Sequence, residues 1–198
     1  GMSTYAAVLL LYMDEEDAFW CFAHLMEHCG LGGLFSDGFP LLYECLDLWE
    51  QLLHSRQPKV AKHIDATLAD FLGLGGGYKH AALKAADDPS RHLVPGMYAT
   101  PWLQTMLMGG SSPAPSALGP RLMDSLLLDG SIAIVFAVGL VLVREQRGTL
   151  LKQSPERLAD SMRDLTLALE VDPTMSAAND LVGAIVGSVG RVSAGFST

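Results

Sequence analysis

Apolar residues recur along this chain at three- and four-residue spacing, and Pro, Asp and Gly punctuate the recurrence. From Asp14 to His28, Ala18, Cys21, Phe22, Leu25 and Met26 form a helical stripe that Phe19 widens. Asp14, Glu15, Glu16 and Asp17 crowd its first turn, where unpaired N–H groups favour carboxylates, and Gly30 supplies a terminator. Pro40 stands where a first helical residue loses nothing by lacking an N–H. Leu42, Cys45, Leu46, Trp49, Leu52 and Leu53 then continue as one face, and this helix is expected to pack on the one before it. Pro58 opens a further segment in which Val60, Ile64, Leu68, Phe71 and Leu72 keep the spacing as far as Gly73. Its expected neighbour is the preceding helix.

Residues 73–93 change character, from a glycine cluster (Gly73, Gly75, Gly76, Gly77) through alanine and lysine to Asp87, Asp88 and Pro89, and read as an inserted loop. Thr100 and Pro101 are expected to start a short helix holding Trp102, Leu103, Met106 and Leu107. The run from Gly109 to Pro120 reads as a turn-rich linker, followed by a helix over about 121–128 that stops at Asp129 and Gly130. Ser131 to Val143 is apolar throughout; it exceeds the usual strand length and lacks a partner strand, which predicts a central buried helix. Asp129 on one side and Arg144 and Glu145 on the other keep it short of the roughly 20 residues a spanning helix needs. Ser154, Pro155 and Glu156 introduce Leu158, Met162, Leu165 and Leu169, and Asp172 with Pro173 introduces a last segment ending near Val189. No period-two run is convincing, so the expected fold is all-α, an irregular multi-helix bundle with short connections.

With 198 residues, 49% of them hydrophobic, the chain can bury one sizeable core, alone or with a small helical appendage. A formal net charge of -9 leaves no broad positive surface for a phosphate backbone and argues against nucleic acid as partner. Cys21, Cys29 and Cys45 are an odd number without a secretory signal, so a reducing compartment, the cytosol, is expected. Candidate chemistry is sparse. Cys21, His24, His28 and Cys29 have metal-like spacing, but a buried cysteine beside two partly exposed histidines accounts for them without a metal. The glycines before Tyr78, Lys79 and His80 lack the strand and the Ser or Thr of a phosphate loop. Gly183 and Gly187 read as close helix packing, and the pairs Asp124 with Asp129 and Glu15 with Glu16 as caps or solvated carboxylates. No cofactor, metal or catalytic residue is expected among these residues.

The serial order of the elements carries a resemblance. Ala6 to Leu10 followed by Asp14 to Cys21 is similar to the stretch of the TBC domain, found in Rab GTPase-activating proteins, in which an apolar helix leads through an acidic turn to an Ala-Phe-Trp helix. Pro58 through His63 resembles that family's Pro-x-x-x-x-His helix, and Tyr98 to Trp102 its segment ending in tryptophan. Arg121, Leu122, Met123 and Asp124, with Gly130, resemble its Arg-x-Trp-Asp and following glycine, Met123 replacing the tryptophan. The resemblance implies an all-helical domain part over residues 1–152, interrupted by the loop at 73–93, with 153–198 as a helical extension. Phe19, Trp20, Trp102, Arg121 and Asp124 are the family-motif positions expected either on a partner surface or in the core.

The family's mechanism rests on an arginine in an Ile-x-x-Asp-x-x-Arg segment and a glutamine in a Tyr-x-Gln segment. Neither segment occurs in these residues, and Gly1 and Met2 resemble the Gly-Met that follows the glutamine. The resemblance therefore implies the C-terminal half of a Rab GTPase activator, a regulator in vesicle trafficking rather than an enzyme, inactive alone and lying peripheral to membranes through its Rab partner. A non-catalytic Rab-binding or scaffold protein is the alternative. A half domain separated from its N-terminal lobe is expected to expose an apolar face and self-associate, unless 153–198 cover that face.

Overall fold

The computed structural model describes residues 1–74, 91–108, 118–165 and 173–182. Among them there is no strand, and the all-α expectation holds. α1 (Met2–Leu10) turns into α2 (Glu15–Glu27), and a 3-10 turn (Leu31–Leu34) leads to α3 (Pro40–Arg56) and, directly, α4 (Pro58–Phe71). α5 (Leu93–Thr105), α6 (Leu118–Asp129), α7 (Ala133–Glu145), the short α8 (Arg147–Leu150), α9 (Pro155–Arg163) and α10, over 173–182, complete the order.

Local signals set most of the boundaries. The Asp14 carboxylate accepts the Asp17 amide at 3.0 Å and caps α2. Gly30 takes φ 73°, a left-handed turn that a side chain would oppose. Pro40, Pro58 and Pro155 each sit in a first helical turn. The Ser131–Val143 run is a helix whose residues from Ala133 through Val143 are all buried, which makes α7 the central element. α4 packs on α3 as expected.

Four expectations need correction. α3 packs chiefly on α4 and α5, and both it and α2 pack on the 3-10 turn, so the two early helices are not each other's main mates. The helix bearing Trp102 begins at Leu93, not at Thr100, and Pro101 lies inside it. Its early start has a tertiary reason: Val94, Tyr98 and Ala99 are buried there. Pro101 cannot donate to the Met97 carbonyl, and the Arg163 guanidinium of α9 lies 3.4 Å from that oxygen instead. That helix ends at Thr105; Met106 and Leu107 turn left-handed (φ 50° and 59°), and burial of both side chains offsets the strain. Third, Gly119 and Pro120 belong to α6, whose first residue Leu118 is buried, rather than to a linker. Fourth, Phe19 does not widen the buried stripe of α2; it is exposed, and Ala18 and Leu25 carry the burial, with Cys21, Phe22 and Met26 half-buried against the core. Most of the 73–93 loop, Leu169, Asp172, Gly183, Gly187 and Val189 lie outside the described residues.

The core centres on three aromatic rings. Trp49 of α3 meets Trp102 of α5 edge-on at 5.2 Å, and Tyr98 meets Trp102 at 5.4 Å. The Trp49 indole donates to the Tyr98 hydroxyl at 3.1 Å, and the Trp102 indole to the Arg163 carbonyl at 3.1 Å. These bonds satisfy polar edges that burial would otherwise strand. α7 approaches the cluster through Gly139, where a Cβ would stand 3.1 Å from Trp49 and 3.5 Å from Trp102. At the other end, the Tyr5 hydroxyl of α1 donates to the Leu103 carbonyl at 2.8 Å, tying the first helix to α5. Gln146 donates to Leu165 at 2.6 Å, so the segment after α9 is also fastened to α7's end.

Two outcomes follow from this packing. Gly139→Val drives a branched side chain into Trp49 and should lower stability by about 1–3 kcal/mol, read as a fall in the urea midpoint. His54 of α3 bonds Asp65 of α4 at 2.8 Å, and that bond raises the imidazole pKa above 6.5, against the opposing pull of burial. A raised folded-state value means the contribution is complete below the unfolded-state pKa and fades as pH climbs through the folded one. The melting-temperature gap between the native chain and Asp65→Asn should therefore be widest below about pH 6 and shrink toward pH 8; a gap constant with pH would contradict this.

Candidate functional site

The five family-motif positions separate into one core residue and four surface residues. Trp102 is 3% exposed and belongs to the aromatic cluster, so it is no partner contact. Phe19 and Trp20 are 60% and 63% exposed on α2, their rings edge-to-face at 5.2 Å, outside the core of the described residues. Arg121 and Asp124 are exposed one helical turn apart on α6. Met123, in the place of the family's tryptophan, is buried at 3% exposure and fills an interior position.

Asp124 opens onto a cleft of about 200 Å³ between α1 and α6. Val8, Leu9, Tyr12 and Met13 form one wall, and Pro120, Met123 and Leu127 the other. Among the described residues of the lining, Asp124 is the only charged one. The chain beside it, Leu10, Leu11 and Tyr12, is more than half exposed at every residue. An apolar side chain carrying a nearby donor suits this cleft, since the carboxylate would orient it while the walls exclude water. The cleft brings Asp124 to α1; it does not bring Phe19, Trp20 or Trp102 into the lining.

The histidine and cysteine cluster has a different geometry from a ligand set. His24 and His28 tilt against each other with ring centres 5.2 Å apart. Cys29 lies beside Gly130, and partial burial raises its thiol pKa. Among the described residues no three His, Cys, Asp or Glu side chains converge as ligands. Cys45 is buried and its thiol pKa is pushed up to about 12, chiefly by burial and further by Glu44.

Sequence reasoning missed one ionic cluster altogether. The Asp47 carboxylate of α3 takes Arg91 at 2.7 Å and His92 at 2.8 Å, and Tyr43, one turn earlier, stacks on the His92 ring at 4.7 Å. Burial would raise the Asp47 pKa, but hydrogen bonds from His92 and Arg91 outweigh it and hold the carboxyl below its ordinary range. The partners are 44 and 45 residues from Asp47, so no local spacing could have announced them. The cluster fixes the start of α5 against α3 and thereby the aromatic core. Arg91 is committed to this carboxylate, Arg144 pairs with Glu145, and Arg163 with Asp160 and the Met97 carbonyl. Arg91 and Arg163 thereby tie α5 to α3 and to α9, while the Arg144 pair is local and exposed.

No described helix is long and apolar enough to cross a membrane. Residues 1–151 match the Rab-GTPase-TBC domain. The chain is 42% identical over 57 residues to a TBC domain-containing protein of Schizosaccharomyces pombe, covering 29% of this chain and 14% of that protein. It is 28% identical over 145 residues to Carabin of Mus musculus, covering 73% of this chain and 26% of that protein. To TBC1 domain family member 1 of Homo sapiens it is 24% identical over 164 residues, 82% of this chain and 12% of that protein. The chain thus spans about a quarter or less of the length of these relatives. The ordered helices, the Tyr98 to Trp102 core segment and the match over three quarters of its residues place this chain in the Rab-GTPase-TBC domain family.

Proposed function

We propose that this chain is part of a Rab GTPase-activating protein of the trafficking machinery, in which residues 1–152 buttress the catalytic half of the domain and form part of the surface that receives the GTPase. Residues 153–198 then act as an extension that braces α5 through Arg163. The observation that carries the reading is the family match over residues 1–151. The exposed family-motif positions support it: Asp124 at the α1–α6 cleft and Arg121 one turn away are surface groups that a protein partner can reach.

Activation of a GTPase demands charge at the transferred phosphoryl group, and an arginine supplied by an activator contributes on the order of 10³ to 10⁵ in rate. These 198 residues contain neither an Ile-x-x-Asp-x-x-Arg nor a Tyr-x-Gln segment. The polypeptide by itself therefore binds without accelerating. That same observation favours the second reading, a Rab-binding or scaffold role with no catalysis.

Single-turnover hydrolysis on a panel of GTP-loaded Rabs tests both. The 198-residue polypeptide should leave every rate unchanged while binding at least one Rab in a nucleotide-dependent way that Asp124→Arg weakens. Joined to an upstream segment bearing the arginine and glutamine, it should accelerate that Rab by about 10³-fold or more. Acceleration of that size by these residues alone would refute the assignment of roles, and an inactive joined protein that still binds would favour the scaffold reading.

A further inference from the structure

The charge of this chain is segregated in a way that its total conceals. Residues 1–55 contain nine carboxylates and no Lys or Arg, whereas the thirteen Lys and Arg from Arg56 onward are matched by thirteen carboxylates. The whole net charge of -9 thus belongs to the α1–α3 end, and within it α2 presents an unusual outer face. α2 packs chiefly on α1 and the 3-10 turn, through Ala18 and Leu25. Its opposite side carries Glu16, Phe19, Trp20, Ala23 and Glu27 at helical spacing. The two aromatic rings are the most exposed ones on this helix, and they stand edge-to-face, mutually supported. Exposed carboxylates frame them: Asp14, Glu15, Glu16 and Asp17 on one side and Glu27 on the other.

We propose that this face of α2 is a docking site for a basic amphipathic helix of a partner polypeptide. An exposed tryptophan and phenylalanine side by side form the type of apolar anchor around which interfaces concentrate their affinity. Leu or Met side chains at three- and four-residue spacing cover such a ridge, and Lys or Arg at the flanks meet the framing carboxylates. A guanidinium or ammonium group over the Trp20 ring adds a cation–π contact. The charge pattern selects this occupant over a bilayer or a second copy. An anionic bilayer is repelled by the carboxylates, and the same face of a second copy would set carboxylate against carboxylate. The proposal uses neither the α1–α6 cleft nor nucleotide, so its test is read separately from that of the GTPase reading.

The probe is a synthetic helical peptide with leucines at i, i+3, i+4 and i+7 and lysines elsewhere, paired with one in which glutamates replace the lysines. Labelled peptide anisotropy gives affinity, and tryptophan emission gives location, because Trp20 is exposed while Trp49 and Trp102 are buried. The lysine peptide should bind, shift the Trp20 emission to shorter wavelength, and weaken with added salt; the glutamate peptide should not bind. Trp20→Ser, an exposed change that should keep the helical circular dichroism, should weaken binding about tenfold or more. The double change Glu15→Lys with Glu16→Lys should weaken it while leaving the aromatic pair in place. Equal affinity of the lysine peptide for the native chain and Trp20→Ser, or of the two peptides for the native chain, would overturn the proposal. So would a Trp20 emission shift on anionic phosphatidylserine vesicles, or a dimer by light scattering that Trp20→Ser dissociates.

Discussion

Contact between Trp49, Tyr98, Trp102 and the bare backbone of Gly139 organises this molecule. The participants come from, or bond to, four parts of the chain: α3, α5, α7 and, through the Arg163 carbonyl, α9. Large rings bury much apolar area in one place, and their N–H and O–H edges demand partners that only a fixed arrangement supplies. The cluster therefore specifies relative helix positions as well as stabilising them. Even the irregularity at Pro101 belongs to it, since the carbonyl that proline leaves unpaired is where α9's Arg163 arrives.

That interior arrangement decides which aromatic residues remain available for recognition. Trp102 and Tyr98 are consumed by the core, so the motif they form preserves packing. Among the described residues, Phe19 and Trp20 lie on a helix held chiefly along its other side, and they stay at the surface among carboxylates. Asp124 and the apolar walls of the α1–α6 cleft form a separate surface feature, positioned because Tyr5 anchors α1 to α5. The described residues thus form a helical support that carries these two outward features, and Arg91 and Arg163 serve the support.

The helical class, the capped start of α2, the proline starts of α3 and α4, and the buried α7 were legible because each rests on residues within one or two turns. The true start of α5 was not, because the strongest local signal, Pro101, pointed to a helix beginning. Burial of Val94 and Tyr98 and the Arg163 contact override that preference, and none of these is local. Leu118 likewise draws Gly119 and Pro120 into α6 by entering the core. The Asp47 cluster joins residues more than forty positions apart, beyond any spacing rule. Of the motif positions, periodicity named Phe19 as apolar but gave it the wrong side, because α2 needs to bury only a narrow stripe against α1 and the 3-10 turn.

The division between an aromatic interior and an aromatic exterior can be tested at three atoms. Hydrogen exchange followed by NMR at the indole N–H groups reports Trp20, Trp49 and Trp102 separately. The Trp49 and Trp102 protons, bonded to Tyr98 and to the Arg163 carbonyl, should exchange only through global unfolding, while the Trp20 proton should exchange at close to the rate of an unprotected indole. A Trp102 proton that exchanged as fast as that of Trp20 would contradict the core on which the rest of the structure depends.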